Sequence, residues 1–220
     1  INMIIMKNRN YFTLFFWVFI FTLKATNVQA QTAITDVFNP DIPITYLGID
    51  FSNAKCFGEE RFDVADLTRK INDLVINEYD KYNVTEALKK NFVNIKFDLT
   101  WKLNAKIEAD NFFTYSPGEL NKMKEEDIQK IVSMYDFSSY EKNKGIGLVF
   151  IVDNINKKDE KESVWVTFLD MNSNKVIFKE KVSGKAAGFG MRNYWVRPFY
   201  EIIKDIKSSL FKQWKKKYNG

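Results

Sequence analysis

The chain has 220 residues, 45% of them hydrophobic and 28% charged, which is enough for one domain with its own core and too few for two comfortable ones. It contains no histidine and one cysteine, which excludes His-dependent catalytic triads, most zinc hydrolase schemes and any intrachain disulfide. The formal charge of +5 overstates the basicity of the folded part, because residues 1–30 carry Lys7, Arg9 and Lys24 and no acid; a nucleic-acid binder needs a basic face that survives this correction, and none is expected.

Residues 1–30 read as a secretory signal peptide. Lys7 and Arg9 precede an apolar run from Tyr11 to Leu23, and Val28-Gln29-Ala30 supplies a small-x-small site with cleavage expected after Ala30. The run is shorter than the roughly 20 residues a spanning helix needs, so no stable membrane span is expected after cleavage. The expected location is the periplasm. Residues 31–43 are polar, contain Pro40 and Pro43, and are expected to form a flexible N-terminal arm. Residues 44–220 are expected to form a single α/β domain.

Ile44 to Phe51 has strand composition, and Ser52 to Gly58 follows as a loop. Asp50, Ser52 and Lys55 would stand at a strand's C-terminal end, the place where α/β sheets commonly bind ligands. A turn capped by Asp and Ser accounts for them without any ligand. From Val64 to Tyr82 the apolar residues recur at helical spacing, which predicts about five turns. A short helix over Thr85–Asn91 follows. Phe92 to Trp101 alternates strictly and predicts a half-buried strand. Ser116-Pro117-Gly118-Glu119 has the form of a capping box opening a helix to Tyr135, with Glu125, Glu126 and Asp127 on its solvated face. Ile146 to Val152 is continuously apolar, as in a central strand. Val164–Leu169 and Lys175–Val182 follow it, the last carrying the charge of an edge strand. Phe199, Ile202, Ile203, Ile206, Leu210 and Trp214 predict a closing helix, whose Lys212–Lys217 cluster is its solvated end. The expected fold is α+β, an α/β sandwich: a mixed sheet of about five strands ending in an antiparallel meander, with three main helices packed mostly on one face.

The segment from Gly184 to Arg197 has the most unusual composition. Gly184, Gly188 and Gly190 lie beside Arg192, Arg197 and the aromatics Phe189, Tyr194 and Trp195. Aromatic and arginine side chains dominate recognition hot spots, which makes Phe189, Arg192, Asn193, Tyr194, Trp195 and Arg197 candidates for partner contact. Two other readings stand beside this one. Tyr194 and Trp195 could simply pack under the closing helix, or the glycine N–H groups could cradle an anion, although the spacing matches neither the dinucleotide fingerprint nor the P-loop.

The stretches YLGIDFSNAK (46–55), GIGLVFIVDNINK (145–157), VTFLD (166–170), NKVIF (174–178) and GKAAGFGMRNYW (184–195) resemble a family of small secreted proteins of Gram-negative bacteria that has no known activity to carry over. In element order the chain is also similar to the N-terminal domain of the TolB family and to the envelope lipoproteins that activate penicillin-binding proteins, although it lacks a lipidated cysteine after the leader. The two resemblances in element order imply a non-enzymatic α/β module that docks other envelope proteins, by analogy of fold. The expected role is a non-catalytic domain, without metal or cofactor, that binds an envelope protein or glycan. The alternative is a carboxylate and lysine enzyme, or a small-ligand binder, with Asp50 and Lys55, joined by Ser52 or Asp98, at the strand ends.

Overall fold

The computed structural model describes residues 33–120, 122–140 and 145–219, which belong to one compact unit. The signal-peptide reading of residues 1–30 lies outside the described residues. The arm segment carries α1 (Ile34–Val37), with Val37 and Phe38 buried.

The sheet is built on β5 (Ile146–Asn156). One edge of β5 pairs antiparallel with β6 (Lys161–Asp170), which pairs antiparallel with β7 (Lys175–Lys185). The other edge carries two parallel strands in tandem. β1 (Ile44–Asp50) runs beside Ile146 to Ile151, and β2 (Lys55–Phe57) runs beside Asn154 to Asn156. Outside them lie β3 (Val93–Ile95), parallel to β1, and β4 (Phe113–Thr114), parallel to β2.

The expected architecture is therefore corrected. Among the described residues there are seven strands rather than about five, and β1 to β4 form a parallel half, of which the expected mixed sheet contained β1 but neither β2 nor β4. Among the described residues there are seven α-helical segments where three main helices are expected, with the closing helix counted as one. They also cover both faces. α2 (Val64–Asn77), α3 (Val84–Ala87) and the closing helix share one core with Ile44, Tyr46, Phe150 and Phe168, while α4 (Asp98–Asn104) and α6 (Glu125–Ser133) share a second with Leu47, Val149, Ile151 and Trp165. The short α5 (Ala109–Phe112) precedes β4.

The predicted strand over residues 92–101 is also corrected: only Val93–Ile95 pairs, and α4 begins at Asp98. Its cause lies in β1. At Gly48 the strand takes φ +91 and loses register, and from there its outer edge is paired by side chains. Thr100 Oγ1 donates to the Leu47 carbonyl at 2.7 Å. The Asn72 amide accepts from Ile49 N at 2.9 Å and donates to Ile49 O at 3.1 Å. Asn104 donates to the same carbonyl at 2.9 Å and accepts from Phe51 N at 2.8 Å. Thr100 and Asn104 are four residues apart, about one helical turn, so a helix sets the two side chains close together along one edge where a strand would spread them.

The capping-box helix is displaced as well. Ser116 makes no side-chain cap, Pro117–Glu119 forms a single 3₁₀ turn, and the Glu119 carboxylate accepts from Thr114 Oγ1 at 2.8 Å. Helix α6 starts instead at Glu125, with Asp127 accepting from Lys124 N at 3.0 Å. The closing helix begins earlier than the apolar stripe suggests: α7 (Met191–Asp205) passes through Pro198, and a π-helical turn at Ile206–Leu210 joins it to α8 (Phe211–Asn219). It lies directly on β7, where a Cβ at Gly184 would come 2.3 Å from the Pro198 carbonyl oxygen.

Candidate functional site

The tandem strands leave a break in the sheet. β1 ends at Asp50 opposite Ile151, β2 starts at Lys55 opposite Asn154, and between them the chain loops through Phe51 to Ala54. The β5–β6 ladder shifts register between Val152 and Asn154, on either side of Asp153. Two hollows open at this break, at the C-terminal end of β1 and the N-terminal end of β2; the carboxyl end of a parallel strand is where α/β folds commonly place their ligands.

The larger hollow has a volume of about 580 Å³, within the usual range of small-molecule sites. It is lined by Asn53, Lys55 and Asp153 at the break, by Glu119, Lys122 and Met123 before α6, by Asp127, Lys130 and Ile131 on it and by Met134 just after it. The smaller, of about 440 Å³, shares Asn53 and Lys55 and adds Ser52, Lys106, Glu108 and Asn111.

Asp153 is 3% exposed. Its Oδ2 accepts from Lys181 Nζ at 2.7 Å and from Asn154 Nδ2 at 3.0 Å. Lys181 reaches it across β6, with its ammonium 5.4 Å from the centre of the Trp165 ring. Lys55 Nζ donates to the Asn111 carbonyl. The Glu119 carboxyl is held below its ordinary range, first by the Thr114 hydroxyl, then by Lys122, with Lys55 adding to the effect. Lys130 in turn holds Asp127 down. The hollow is thus lined by three lysines and three carboxylates in close alternation.

Of the strand-end residues singled out from sequence, Lys55 lines both hollows and Ser52 lines the smaller. Asp50 lines neither. It is wholly buried, accepting from the Tyr135 hydroxyl at 2.6 Å and from Ser52 N at 2.8 Å. Burial, and then the Asp50 charge, pushes the Tyr135 phenol well above its ordinary value, so it remains a donor. Asp98 sits exposed on the first turn of α4 and lines neither hollow. Of the residues set out for that alternative, Lys55 and Ser52 therefore border open space there, and neither carboxylate does.

The glycine-rich segment divides differently from its sequence reading. β7 continues to Lys185 and α7 starts at Met191, so the loop proper is Ala186 to Gly190. Phe189 is 95% exposed at its tip, between Gly188 at φ +124 and Gly190 at φ +80, conformations an L side chain rarely adopts. Arg192 and Asn193 are exposed beside it, the guanidinium donating to Asn193 Oδ1 at 3.0 Å. Tyr194, Trp195 and Arg197 are occupied within the fold. Trp195 is fully buried, and its Nε1–H donates to Glu59 Oε1 at 2.9 Å. Lys157 lies 3.2 Å from the same carboxylate oxygen and 3.7 Å from the Tyr194 ring centre. Arg197 Nε donates to Glu201 Oε1 at 2.8 Å.

Sequence reasoning passed over Asp153, Lys122 and Lys130, and assigned Asp127 to a solvated face. Asp153 did leave a signal: it is the first charge after the apolar run of β5. The others converge through the displaced start of α6, which local spacing did not report. No protein-family model matches the chain, and no curated protein matches it.

Proposed function

We propose that this chain is a non-catalytic docking domain, acting after export in the periplasm, that binds an envelope protein through the Phe189 loop. The observation that carries this reading is Phe189 itself, a phenylalanine 95% exposed on a five-residue loop whose ends are fixed by β7 and α7. An aromatic held out on a short glycine-flanked loop gains nothing from its own fold, and serves as an anchor that a partner's pocket can desolvate. Met191, 38% exposed, and the Arg192 guanidinium border the anchor. They favour a partner that offers an apolar socket rimmed by acids. None of the described helices is long and apolar enough to cross a membrane.

Site-specific photo-crosslinking in intact cells tests the reading. A crosslinker at position 189 is expected to give a discrete protein adduct that is absent when the crosslinker stands at exposed Lys102, and that disappears in Arg192→Glu. Equal adduct patterns at 189 and 102 would remove the loop from the argument, and an adduct that carries only carbohydrate would replace the protein partner with a glycan.

A further inference from the structure

The break between β1 and β2 supports a second site, independent of the Phe189 loop and sharing no residue with it. Its larger hollow combines a buried carboxylate, a cation that belongs to the same break, and apolar walls. Those features narrow the ligand by chemistry.

The donor set does not suit a metal ion: among the described residues no group of three or more Asp, Glu, Cys or His side chains is placed to hold one, and the acids of the hollow are spaced by lysines. A polyphosphate or nucleotide would meet three carboxylates, and no glycine-rich turn opens a helix here to receive it. A sugar is usually gripped by an aromatic platform, whereas the apolar wall is Met123, Ile131 and Met134. The hollow has equal numbers of cations and anions on its lining, so a singly signed ligand gains from half of it and is repelled by the other half. A ligand that carries one charge of each sign gains from both.

We propose that this hollow binds a zwitterion of the amino-acid or short-peptide class, with the ligand's ammonium at Asp153 and its carboxylate at Lys55. Asp153 is desolvated, so a charge-assisted bond to it is strong, and Lys181 and Asn154 fix the carboxylate from the side. Lys55 spends one of its three donors on the Asn111 carbonyl and has the other two for a carboxylate. Met134, 70% exposed, with Met123 and Ile131, offers an adaptable apolar wall to the ligand's side chain, as methionines do at surfaces of broad specificity. The smaller hollow, reached across Asn53 and Lys55, gives a second residue of a peptide room to extend.

The experiment is a titration of the ¹⁵N-labelled protein with free amino acids and with di- and tripeptides. Each peptide is compared with its N-acetylated and its C-amidated form, a comparison that needs no variant. Free ligands are expected to bind with Kd in the millimolar range or better, of the order of ~1 mM, and to shift the amides of Asn53, Lys55, Asp153 and Met134. Blocking either end should weaken binding at least ~10-fold, the scale of one charge-assisted contact. Asp153→Asn should remove the penalty for N-acetylation, and Lys55→Gln should remove the penalty for C-amidation. Phe189→Ser should leave binding unchanged, which separates this proposal from the docking reading. Blocked ligands that bind as tightly as free ones would overturn it, as would no binding by any member of the panel to folded protein up to ~10 mM.

Discussion

Glu162 gives the sharpest test of how this core is balanced. It lies on β6 opposite Ile155 and Gly184, facing the closing helix with Val164, Val166 and Phe168. It is wholly buried, and neither carboxyl oxygen has a hydrogen-bond partner among the described residues. Burial alone pushes the carboxyl well above its ordinary value of 4.5, so the native chain keeps a proton there that the unfolded chain gives up. Native protein then binds more protons than unfolded protein once pH passes the ordinary carboxylate range, and stability falls as pH rises, by about 1.4 kcal/mol for each unit of displacement. Glu162→Met keeps the unbranched shape and removes the unsatisfied oxygens, whose desolvation costs about 1–3 kcal/mol. For a domain of this size that is a rise in Tm of roughly 3–10 °C. The assay is thermal unfolding by circular dichroism at about pH 5 and about pH 8, both above the ordinary carboxylate value, so that the loss accumulates between them. The wild type should melt lower at the higher pH, and the variant should melt higher than the wild type, with less of that difference. A Glu162→Met protein that melts below the wild type at both pH values would show that the carboxyl has a partner and refute the reasoning.

Two further substitutions probe how the ends of the sheet are held. Gly48→Ala would place a methyl group 2.7 Å from Thr100 Oγ1 and 2.8 Å from Asn72 Oδ1 at a φ of +91; the strain and overpacking together predict a loss of about 2–5 kcal/mol in urea unfolding, and a loss under about 1 would show that β1 can shed the bulge. Lys90 is buried, with its ammonium donating to the carbonyls of Asp36, Asn39 and Ile42 at 3.1, 2.6 and 3.0 Å; Lys90→Met should cost about 2–4 kcal/mol in the same assay, because three acceptors lose their donor, while exposed Lys89→Met serves as the control. Burial brings the Lys90 ammonium down to about 8 from its ordinary 10.5, so the unfolded chain holds more protons between those values and the wild type should gain stability there as pH rises, a gain the Met variant lacks.

What the sequence disclosed follows from how locally each element is determined. The amphipathic helix from Val64 and the continuous apolar run of β5 write their burial directly into spacing, because each packs a whole face. β2, β3 and β4 are two or three residues long and have no period to detect. Alternation across residues 92–101 misled because one segment serves two layers, with Val93 in one core and Leu99 in the other. The candidate site was legible only at Lys55 and Ser52. Asp50 occupies the expected strand end, but Tyr135 closes over it from 85 residues away, a partner that no local pattern names. In the same way Trp195 looked like a recognition residue until Glu59, 136 residues distant in sequence, proved to hold its indole.

The side chains that finish β1 have a bearing on how this protein avoids pairing with copies of itself. An exposed strand edge is a template that any extended chain can copy. Beyond Tyr46, the outer edge of β1 meets Asn72, Thr100 and Asn104, donors and acceptors that come from two helices and share no continuous backbone. A row of that kind satisfies an edge without creating a new one, so the sheet stops there instead of passing its register outward. At the far side of the sheet Gln129 does the same for the start of β7, its amide donating to Asn174 O at 2.9 Å and accepting from Val176 N at 2.9 Å. The chain thus ends parts of both borders with side-chain amides, a form of closure that needs no barrel and withholds those stretches from a neighbour.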